Sequence, residues 1–256
     1  MPHSFASGPQ TLASTVGVSA TPSQTTNPSH MPRQADAPGR PGLPNESARR
    51  ALNVLVALLG IVISMPLMLV VAVLIKLDSP GPVIYKQQRV GLDRRGRRGS
   101  QAENHRRSAD LGGRIFTIYK FRTMRTSPRD DGQTRASRND QRVTRVGRLL
   151  RATRIDELPQ LLNVLKGDMN IVGPRPEQPI IFAELRDEVS GYRDRQRVLP
   201  GITGWAQVNL GYDTSVEDVR RKVELDLEYI DRRSATEDLL IMAKTMPVMV
   251  WRRGGM

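Results

Sequence analysis

Two adjacent carboxylates, Asp156 and Glu157, stand among residues of opposite charge. They lie between a series of arginines and a Gly- and Pro-rich loop that ends at Arg175, which two prolines enclose. Arginine and lysine side chains lower the pKa of nearby carboxyl groups and so keep them ionised, as a nucleophile or a Mg²⁺ ligand must be. Adjacent carboxylates also suit Mg²⁺, which takes one or two carboxylates together with substrate phosphates. Asp156 and Glu157 are therefore candidates both for catalysis and for metal binding.

A structural role explains the same pair. Pro159 is compatible only with the first turn of a helix, so the apolar pattern from Leu161 to Leu165 predicts a helix with Asp156 at or near its N-cap. Asp is a favoured cap, and Glu in the first turn complements the helix dipole. The unpaired N–H groups of that helix start would also bind phosphate oxygens. At this point capping and chemistry both remain open.

Four basic residues are candidates for binding an anionic substrate: Lys120, Arg122, Arg151 and Arg175. Lys120 and Arg122 fall on one face of a strand predicted over Arg114–Met124, although two solvated charges would look the same. Arginine recurs at every third position from Arg142 to Arg154, a spacing that winds around a helix and cannot bring all five to one ligand. We assign Arg151 to the substrate and the others to solvent or anionic lipid headgroups.

A single apolar segment, Ala51–Ile75, precedes the acidic pair and is interrupted only by Asn53 and Ser64 among polar residues. Its length is just enough to cross a hydrocarbon core of about 30 Å. Pro66 near its middle removes a helical hydrogen bond, and basic residues flank both ends, which the positive-inside rule would keep in the cytoplasm. We therefore favour a re-entrant hairpin with its hinge at Ser64 and Pro66 over a single span.

The remaining patterns predict a mainly α fold with a few short strands, an α+β monotopic membrane protein. Val83–Gly91 and Arg114–Met124 have the character of strands, and Ser215–Asp218 resembles a capping box at a helix start. The segment Leu239–Trp251 suits an amphipathic helix in the membrane interface, with a plain core helix as the alternative.

The chain divides into three predicted parts. Residues 1–46 are a disordered tail poor in apolar residues, 47–77 are the re-entrant membrane helix, and 78–256 are a cytoplasmic-face domain that carries the acidic pair. Residues 94–113, rich in Arg, Gly and Ser, form a flexible insertion within that domain.

Composition restricts the partners. The 256 residues contain 39 Lys and Arg against 26 Asp and Glu, a formal charge of +13, which predicts an anionic partner of some kind. Aromatic residues make up only 4 %, which together with the apolar segment disfavours a nucleic-acid binder. The absence of cysteine removes disulfides, thiolate nucleophiles and cysteine-ligated metals.

Five motifs occur in a fixed order: YKQQRVGLD at Tyr85–Asp93, IYKFRTM at Ile118–Met124, DELPQLLNVLKGDM at Asp156–Met169, VGPRP at Val172–Pro176 and PGITGWAQVN at Pro200–Asn209. Together they closely resemble the monotopic bacterial polyprenyl-phosphate sugar-1-phosphate transferases, the initiating enzymes of glycan and exopolysaccharide assembly. The resemblance covers about Ala48 to Arg253. The family often has Ser-Pro at the membrane hinge where this chain has Ser64-Met65-Pro66, and the 94–113 insertion splits a connection that is usually tight.

The resemblance implies a reaction in which a phosphosugar moves from a UDP-sugar to undecaprenyl phosphate and UMP is released. It implies that Asp156 attacks the β-phosphate to form a covalent phosphosugar intermediate, and that Glu157 supports Mg²⁺ and the charge balance. Arg151, Lys120 and Arg175 match basic positions of the active site, Arg175 in nucleotide recognition. It further implies a location among the lipids of the bacterial inner (cytoplasmic) membrane, and with the composition described above we expect no nucleic-acid partner. The alternative is a non-catalytic, membrane-docked basic module that binds lipid.

Overall fold

The computed structural model describes residues 46–93, 112–125, 140–211 and 215–251. The predicted tail, except Glu46, and the predicted insertion, except its last two residues, lie outside the described residues. Within the described ranges the chain is mostly helical with few short strands, which agrees with the predicted fold class.

The helices are α1 Glu46–Asp78, α2 Arg145–Ala152, α3 Leu161–Lys166, α4 Pro179–Glu188, α5 Trp205–Asn209, α6 Val216–Arg232 and α7 Ala235–Trp251. The strands are β1 Ile84–Val90, β2 Ile115–Phe121, β3 Asn170–Val172 and β4 Gly201–Thr203. Two 3₁₀ helices, Ile155–Gln160 and Tyr192–Arg197, complete the described elements. The two strands expected over Val83–Gly91 and Arg114–Met124 are confirmed with slightly shorter bounds. The capping box at Ser215 is present at the start of α6.

The strands form two small sheets. β1 and β2 pair antiparallel, with Tyr85 opposite Lys120, and β3 and β4 pair in parallel. The second pair is unusually close at its end, because a Cβ on Gly201 would lie 2.1 Å from the backbone N of Gly173. Only glycine permits this approach, which fixes where the chain leaves β3 for the loop that carries Arg175.

The core lies where α1, β2, α3 and β3 meet α6 and α7. Its buried side chains include Ala57 of α1, Phe116 of β2, Val164 of α3 and Ile241 of α7. A separate cluster joins Val71 and Ile75 of α1 to Phe121 and Leu150. The membrane-type helix therefore contributes to two parts of the core instead of standing apart from the domain.

One stripe of α1 faces the rest of the protein along the length of the helix. Its buried members are Arg49, Asn53, Ala57, Val71 and Ile75, which recur at helical spacing on one side. All the described residues belong to one compact unit, Pro41–Met256. The first and last turns of α1 are thus fixed to the same body.

Polar contacts anchor the N-terminal end of α1. The Nε of Arg49 donates to Oδ2 of Asp238 at 3.0 Å, and its Nη2 donates to the hydroxyl of Tyr229 at 2.9 Å. The Nη1 of Arg50 donates to the carbonyl of Val164 at 2.8 Å. Arg49 and Asp238 are almost wholly buried, so each charge is compensated by the other where water cannot reach it.

Arg122 anchors the C-terminal end, which corrects its predicted role in substrate binding. Its guanidinium donates to the carbonyls of Pro80 at 2.8 Å, Ser79 at 2.6 Å and Ile75 at 3.3 Å. The residue is 3 % exposed, so it has no free surface for a ligand. A cation at a helix C-terminus satisfies carbonyls that have no partner within the helix.

The other faces of α1 expose apolar side chains. Large apolar residues that are more than two-fifths exposed are Leu55, Leu58, Leu59, Val62, Ile63, Met65, Leu67, Leu69, Val70, Val73, Leu74 and Leu77. Among the described residues, α1 is the one helix long and apolar enough to cross a membrane by length and composition, and only 11 % of its most apolar window is buried. Such a surface is a site of membrane or protein contact.

Helical structure continues through the predicted hinge. Every residue from Glu46 to Asp78 is helical, Pro66 included. Two residues before Pro66, the hydroxyl of Ser64 donates to the carbonyl of Gly60 at 2.6 Å, a bond of a kind that tends to bend helices. Ser64 and Pro66 thus weaken the same region of α1, while the membrane hairpin itself stays a prediction.

The last helix, α7, contains the segment predicted to lie in the membrane interface. Leu239 and Leu240 are about half exposed, while Ile241 next to them is fully buried. One face of α7 therefore belongs to the core and an adjoining one is apolar and open. Its placement in a membrane interface stays a prediction.

Candidate active site

The acidic pair lies on the 3₁₀ helix Ile155–Gln160, which leads directly into α3. Arg154 occupies the N-cap position in the left-handed region, with φ 59° and ψ 10°, and the backbone N–H of Glu157 donates to its carbonyl at 3.0 Å. Asp156 is therefore inside the helical turn and does not cap it, so the capping interpretation is wrong. The tight turn is consistent with Pro159, which has no N–H to place in an α-helical ladder.

Asp156 and Glu157 point in different directions because consecutive residues of a 3₁₀ helix are about 120° apart. Asp156 is 8 % exposed, and its Oδ1 has no hydrogen-bond partner among the described residues. Burial, and then the charge of Glu157, raise the pKa of Asp156 to about 6, against the opposing effect of Lys120 and Arg175. The predicted lowering of its pKa is wrong, although a pKa of about 6 still leaves most of the carboxylate ionised at pH 7.

Glu157 is surrounded by cations. Its Oε1 lies 2.8 Å from Nη2 of Arg175, 3.2 Å from Nζ of Lys120 and 3.6 Å from Nη1 of Arg154. Burial alone would raise the pKa of Glu157, but Arg175 and Lys120 outweigh it and hold the pKa well below its usual range. For Glu157 the prediction of a permanently ionised carboxylate agrees with the geometry. The two neighbours thus differ, Asp156 with a raised pKa and Glu157 as a fixed negative charge.

The β1–β2 hairpin supplies the cations opposite the 3₁₀ helix. The register puts Lys120 opposite Tyr85, so Lys120 shares a face with Arg89, four residues after Tyr85 on the same strand. Burial lowers the pKa of Lys120, against the attraction of Glu157, and burial also lowers the pKa of Arg89. An anion entering here would relieve the cost of burying these charges.

Lys120 and Arg175 are therefore brought to the acidic pair as expected, and Arg151 is not. The Nε of Arg151 donates to the hydroxyl of Thr123 at 2.9 Å, at the end of the hairpin. Within the arginine series that precedes the pair, the member that reaches Glu157 is Arg154, three residues before it. Sequence reasoning missed Arg154 because it assumed an α-helical path, whereas the left-handed residue turns the chain just before the pair.

The metal-binding capacity of the site is limited. Among the described residues, no three His, Cys, Asp or Glu side chains come together as a metal site. Oδ1 of Asp156 is a free hard oxygen of the kind that Mg²⁺ prefers. Oε1 of Glu157 already accepts from Lys120 and Arg175, so Glu157 fits as a ligand only through its other oxygen.

The site lies directly against α1. A Cβ on Gly60 would be 3.1 Å from Cδ1 of Leu161, the residue that follows the 3₁₀ helix, and Leu158 packs on the core clusters that include Ala57 and Val71. The acidic pair is thus one layer of side chains away from the exposed apolar helix. This arrangement can hold a polar, phosphorylated group next to an apolar environment.

Comparisons with known proteins match most of the chain. The sequence model of the family described as bacterial sugar transferase matches residues 44–252. A relative from Aeromonas hydrophila, named UDP-N-acetylgalactosamine-undecaprenyl-phosphate N-acetylgalactosaminephosphotransferase, is 45 % identical over 77 % of this chain and 42 % of its own length.

Two further relatives are named UDP-glucose:undecaprenyl-phosphate glucose-1-phosphate transferase. The one from Escherichia coli strain K12 is 39 % identical over 79 % of this chain and 40 % of its own length. The one from Caulobacter vibrioides is 41 % identical over 79 % of this chain and 69 % of its own length. The chain thus spans about two-fifths of the first two relatives and about two-thirds of the third.

Proposed function

Since the chain belongs to the bacterial sugar transferase family, we propose that it transfers a sugar-1-phosphate from a UDP-sugar to undecaprenyl phosphate and releases UMP. The names of the relatives support both substrates, because each combines a UDP-sugar or sugar phosphate with undecaprenyl phosphate. The relatives named above differ in the sugar, which is N-acetylgalactosamine in one and glucose in two.

The observation that carries the proposal is the contrast between Asp156 and Glu157. Asp156 has a buried carboxylate oxygen without a partner, while cations neutralise Glu157 beside it. A desolvated carboxylate with a raised pKa is a stronger nucleophile than one in water, and it remains mostly ionised at neutral pH. Asp156 is therefore the residue placed to react, and Glu157 is the residue that organises the charges around it.

The proposed reaction has two displacements at one phosphorus. A carboxylate oxygen of Asp156 attacks the β-phosphorus of the UDP-sugar, the bond to the bridging oxygen breaks, and UMP leaves with that oxygen and its electron pair. A phosphate oxygen of undecaprenyl phosphate then attacks the phosphosugar on Asp156, and the bond to the carboxylate breaks. The product is a lipid diphosphate sugar, and Asp156 is regenerated. Splitting the transfer in this way replaces one difficult step with two easier ones.

The cations have a defined part in both steps. Arg175 and Lys120 reach the site while Glu157 holds their side chains. A transferring phosphoryl group spreads negative charge over its equatorial oxygens, and fixed cations in a water-poor site stabilise that charge without rearrangement. We assign Arg175 to the nucleotide diphosphate, together with Lys120, and Arg154 to the same cluster.

Mg²⁺ is part of the proposal. Asp156, and Glu157 through its second oxygen, would hold the ion together with phosphate oxygens of the substrate, as Mg²⁺ sites with few protein ligands do. The ion would neutralise charge on the diphosphate. Glu157 in addition keeps Arg175 and Lys120 in place, a role that requires no metal.

The packing of α1 supports a monotopic arrangement. The same body binds both ends of α1 and contacts the stripe between them, so a helix that crossed a bilayer would have to draw that body into the membrane. A helix that enters and returns on one side requires no such burial. The basic residues Arg49, Arg50 and Lys76 at its ends support a cytoplasmic location of that side, at the inner membrane, under the positive-inside rule. Tags at residue 30 and at the C-terminus should both report cytoplasm, and opposite sides would overturn this arrangement.

The alternative, a lipid-binding module without catalysis, depended on Asp156 acting as a cap. Because Arg154 holds the cap position, that reason is gone. The test is UMP release by the purified protein with undecaprenyl phosphate and a panel of UDP-sugars, with and without Mg²⁺. Turnover by the wild type and loss in Asp156→Asn are expected. An Asp156→Asn variant that releases UMP at the wild-type rate would reject the mechanism.

A further inference from the structure

We infer that Arg195 and Asp226 position Arg175 for the reaction, from a buried charged network on the far side of the loop between β3 and α4. The inference rests on the proposed function, because it assigns work to residues that do not touch the acidic pair. It concerns α6, a helix that no motif of the sequence connected with the site.

The loop is held by its carbonyl groups. Four consecutive carbonyls accept hydrogen bonds from four different residues: Pro174 from Gly201 N at 2.9 Å, Arg175 from Arg195 Nη2 at 3.1 Å, Pro176 from Arg89 Nη1 at 3.0 Å and Glu177 from Val90 N at 2.9 Å. The loop has no helix or strand of its own to fix these residues. Its shape therefore depends on donors from β1, β4 and the second 3₁₀ helix.

Arg195 is the donor to the carbonyl of Arg175, the loop residue whose side chain reaches Glu157. Its Nε donates to Oδ2 of Asp226 at 2.8 Å while its Nη2 holds the carbonyl of Arg175, so one planar fork joins α6 to the loop. The side chains of Arg195 and Asp226 are 1 % and 2 % exposed. The ring of Tyr192 lies 5.0 Å from the guanidinium carbon and restricts it further.

A second contact ties the same helix to the loop. Lys222, one turn before Asp226, donates to Oε1 of Glu177 at 2.9 Å, and both side chains are 13 % exposed. Two residues of α6 thus hold the loop on either side of Pro176: Asp226 acts through Arg195 on the Arg175 carbonyl, and Lys222 binds Glu177 directly. The side chain of Arg175 itself donates to Oε1 of Glu157 at 2.8 Å, so this residue joins the network to the acidic pair.

Stability alone is a weak explanation for this network. A buried ion pair typically adds little net stability, since the cost of removing both charges from water is close to the attraction gained. Precise positioning of Arg175 explains the network better, because a displacement of about 1 Å in a positioning group can lower the rate about a hundredfold. Arg195 and Asp226 are accordingly positioning residues and act through Arg175.

The test is a double-mutant cycle on UMP release with the UDP-sugar that the wild type uses, measured with radiolabelled substrate so that residual rates remain quantifiable. Asp226→Asn keeps the shape and removes the charge. We expect it to lower kcat/KM for the UDP-sugar about tenfold, the scale of one charge-assisted hydrogen bond. In an Arg175→Ala background we expect a loss of less than about twofold, because the group being positioned is absent.

The matched control is Glu224→Gln on the same helix. Glu224 pairs with Arg221 at the same 2.8 Å, but both side chains are more than three-fifths exposed. Glu224→Gln should leave activity unchanged relative to the parent protein in each background, that is, relative to the wild type and relative to Arg175→Ala. Arg195→Lys keeps the charge but cannot reach Asp226 and the Arg175 carbonyl together, so it serves as the second variant if Asp226→Asn fails to fold.

Equal fold losses with and without Arg175 would overturn the inference, because the network would then act on general stability. Wild-type activity in Asp226→Asn would overturn it as well. A wild-type protein that releases no UMP with any UDP-sugar would instead be a failure of the proposed function, so the two failures are distinguishable.

Discussion

Replacing Asp156 with Asn should make the protein more stable and inactive at the same time. The substitution keeps the shape of the side chain and removes its charge. The carboxylate is 8 % exposed, one of its oxygens has no partner among the described residues, and its pKa is raised to about 6. A buried charge without full hydrogen bonding lowers the stability of the folded state, and proteins keep such a charge where function requires it.

The magnitude follows from the shift in pKa. A rise from 3.8 to about 6 means that the folded state disfavours the ionised form. At 1.36 kcal/mol per pKa unit, the ionised carboxylate lowers the free energy of unfolding by about 3 kcal/mol at neutral pH. The buried amide of Asn needs hydrogen-bond partners of its own, so we expect a net gain of about 1–2 kcal/mol in the free energy of unfolding. For a chain of this size that raises Tm by about 3–6 °C.

The stability gained by Asp156→Asn should increase as the pH rises. As pH rises, the unfolded chain releases the Asp156 proton near its ordinary pKa of 3.8, whereas the folded chain holds it until about pH 6. The wild type therefore loses stability relative to Asn between these two values. The advantage of Asp156→Asn should be full above pH 6 and absent below about pH 4.

Thermal unfolding in one detergent or nanodisc preparation, from pH 4 to pH 8, measures the difference, and UMP release is assayed in parallel. We expect activity to fall at least about a thousandfold, as it does when nucleophiles of covalent catalysis are removed. Glu157→Gln is the matched control with the opposite sign. It leaves Arg175 and Lys120 facing a neutral amide and should lower Tm at neutral pH. A lower Tm for Asp156→Asn at pH 8 would refute the assignment of Asp156 as a strained, partnerless charge.

Substitutions at four arginines separate structural roles from substrate binding. Arg122→Met should lower the free energy of unfolding by about 2–3 kcal/mol, because buried carbonyls lose their charged donor. It should leave KM for the UDP-sugar within about twofold of the wild-type value. Denaturant unfolding measures the first effect and initial rates measure the second. Arg154→Gly should be about 1 kcal/mol more stable than Arg154→Ala, because φ is 59° there, and urea titration measures the difference. Arg175→Ala should raise KM for the UDP-sugar more than about tenfold and Arg151→Ala less than about threefold, where each tenfold is 1.4 kcal/mol. Of these two arginines only Arg175 contacts Glu157, so equal effects on KM would contradict the geometry.

The strongly periodic elements could be predicted from the sequence. The 25-residue apolar run gave α1 to within a few residues, and the alternation near Lys120 gave β2. The capping box at Ser215 marked the start of α6, where Ser215 and Asp218 bond each other's backbone N–H groups as expected. These patterns are local, so neighbouring residues carry all the information that they need.

The active-site geometry required information that no local pattern contains. Arg122 was placed with Lys120 by alternation, but β2 ends at Phe121, and beyond that point the side chain turns to the end of α1. The alternation rule holds only inside a strand. Arg154 and Asp156 were misplaced because a left-handed residue and a 3₁₀ turn replace the expected N-cap. Arg89 joins Lys120 through the register of a hairpin, and a long connection does not specify register.

The division of α1 into a buried stripe and an apolar outer surface also bears on how the protein can be handled. The outward residues, such as Leu58, Val62 and Ile63, are about half to three-quarters exposed, while the stripe that holds the fold uses other positions. Glutamine or lysine at the outward positions would therefore leave the packing of Ala57 and Val71 in place. A water-soluble variant of the domain could be engineered from this one helix, and a short-chain prenyl phosphate would then report its chemistry without a bilayer.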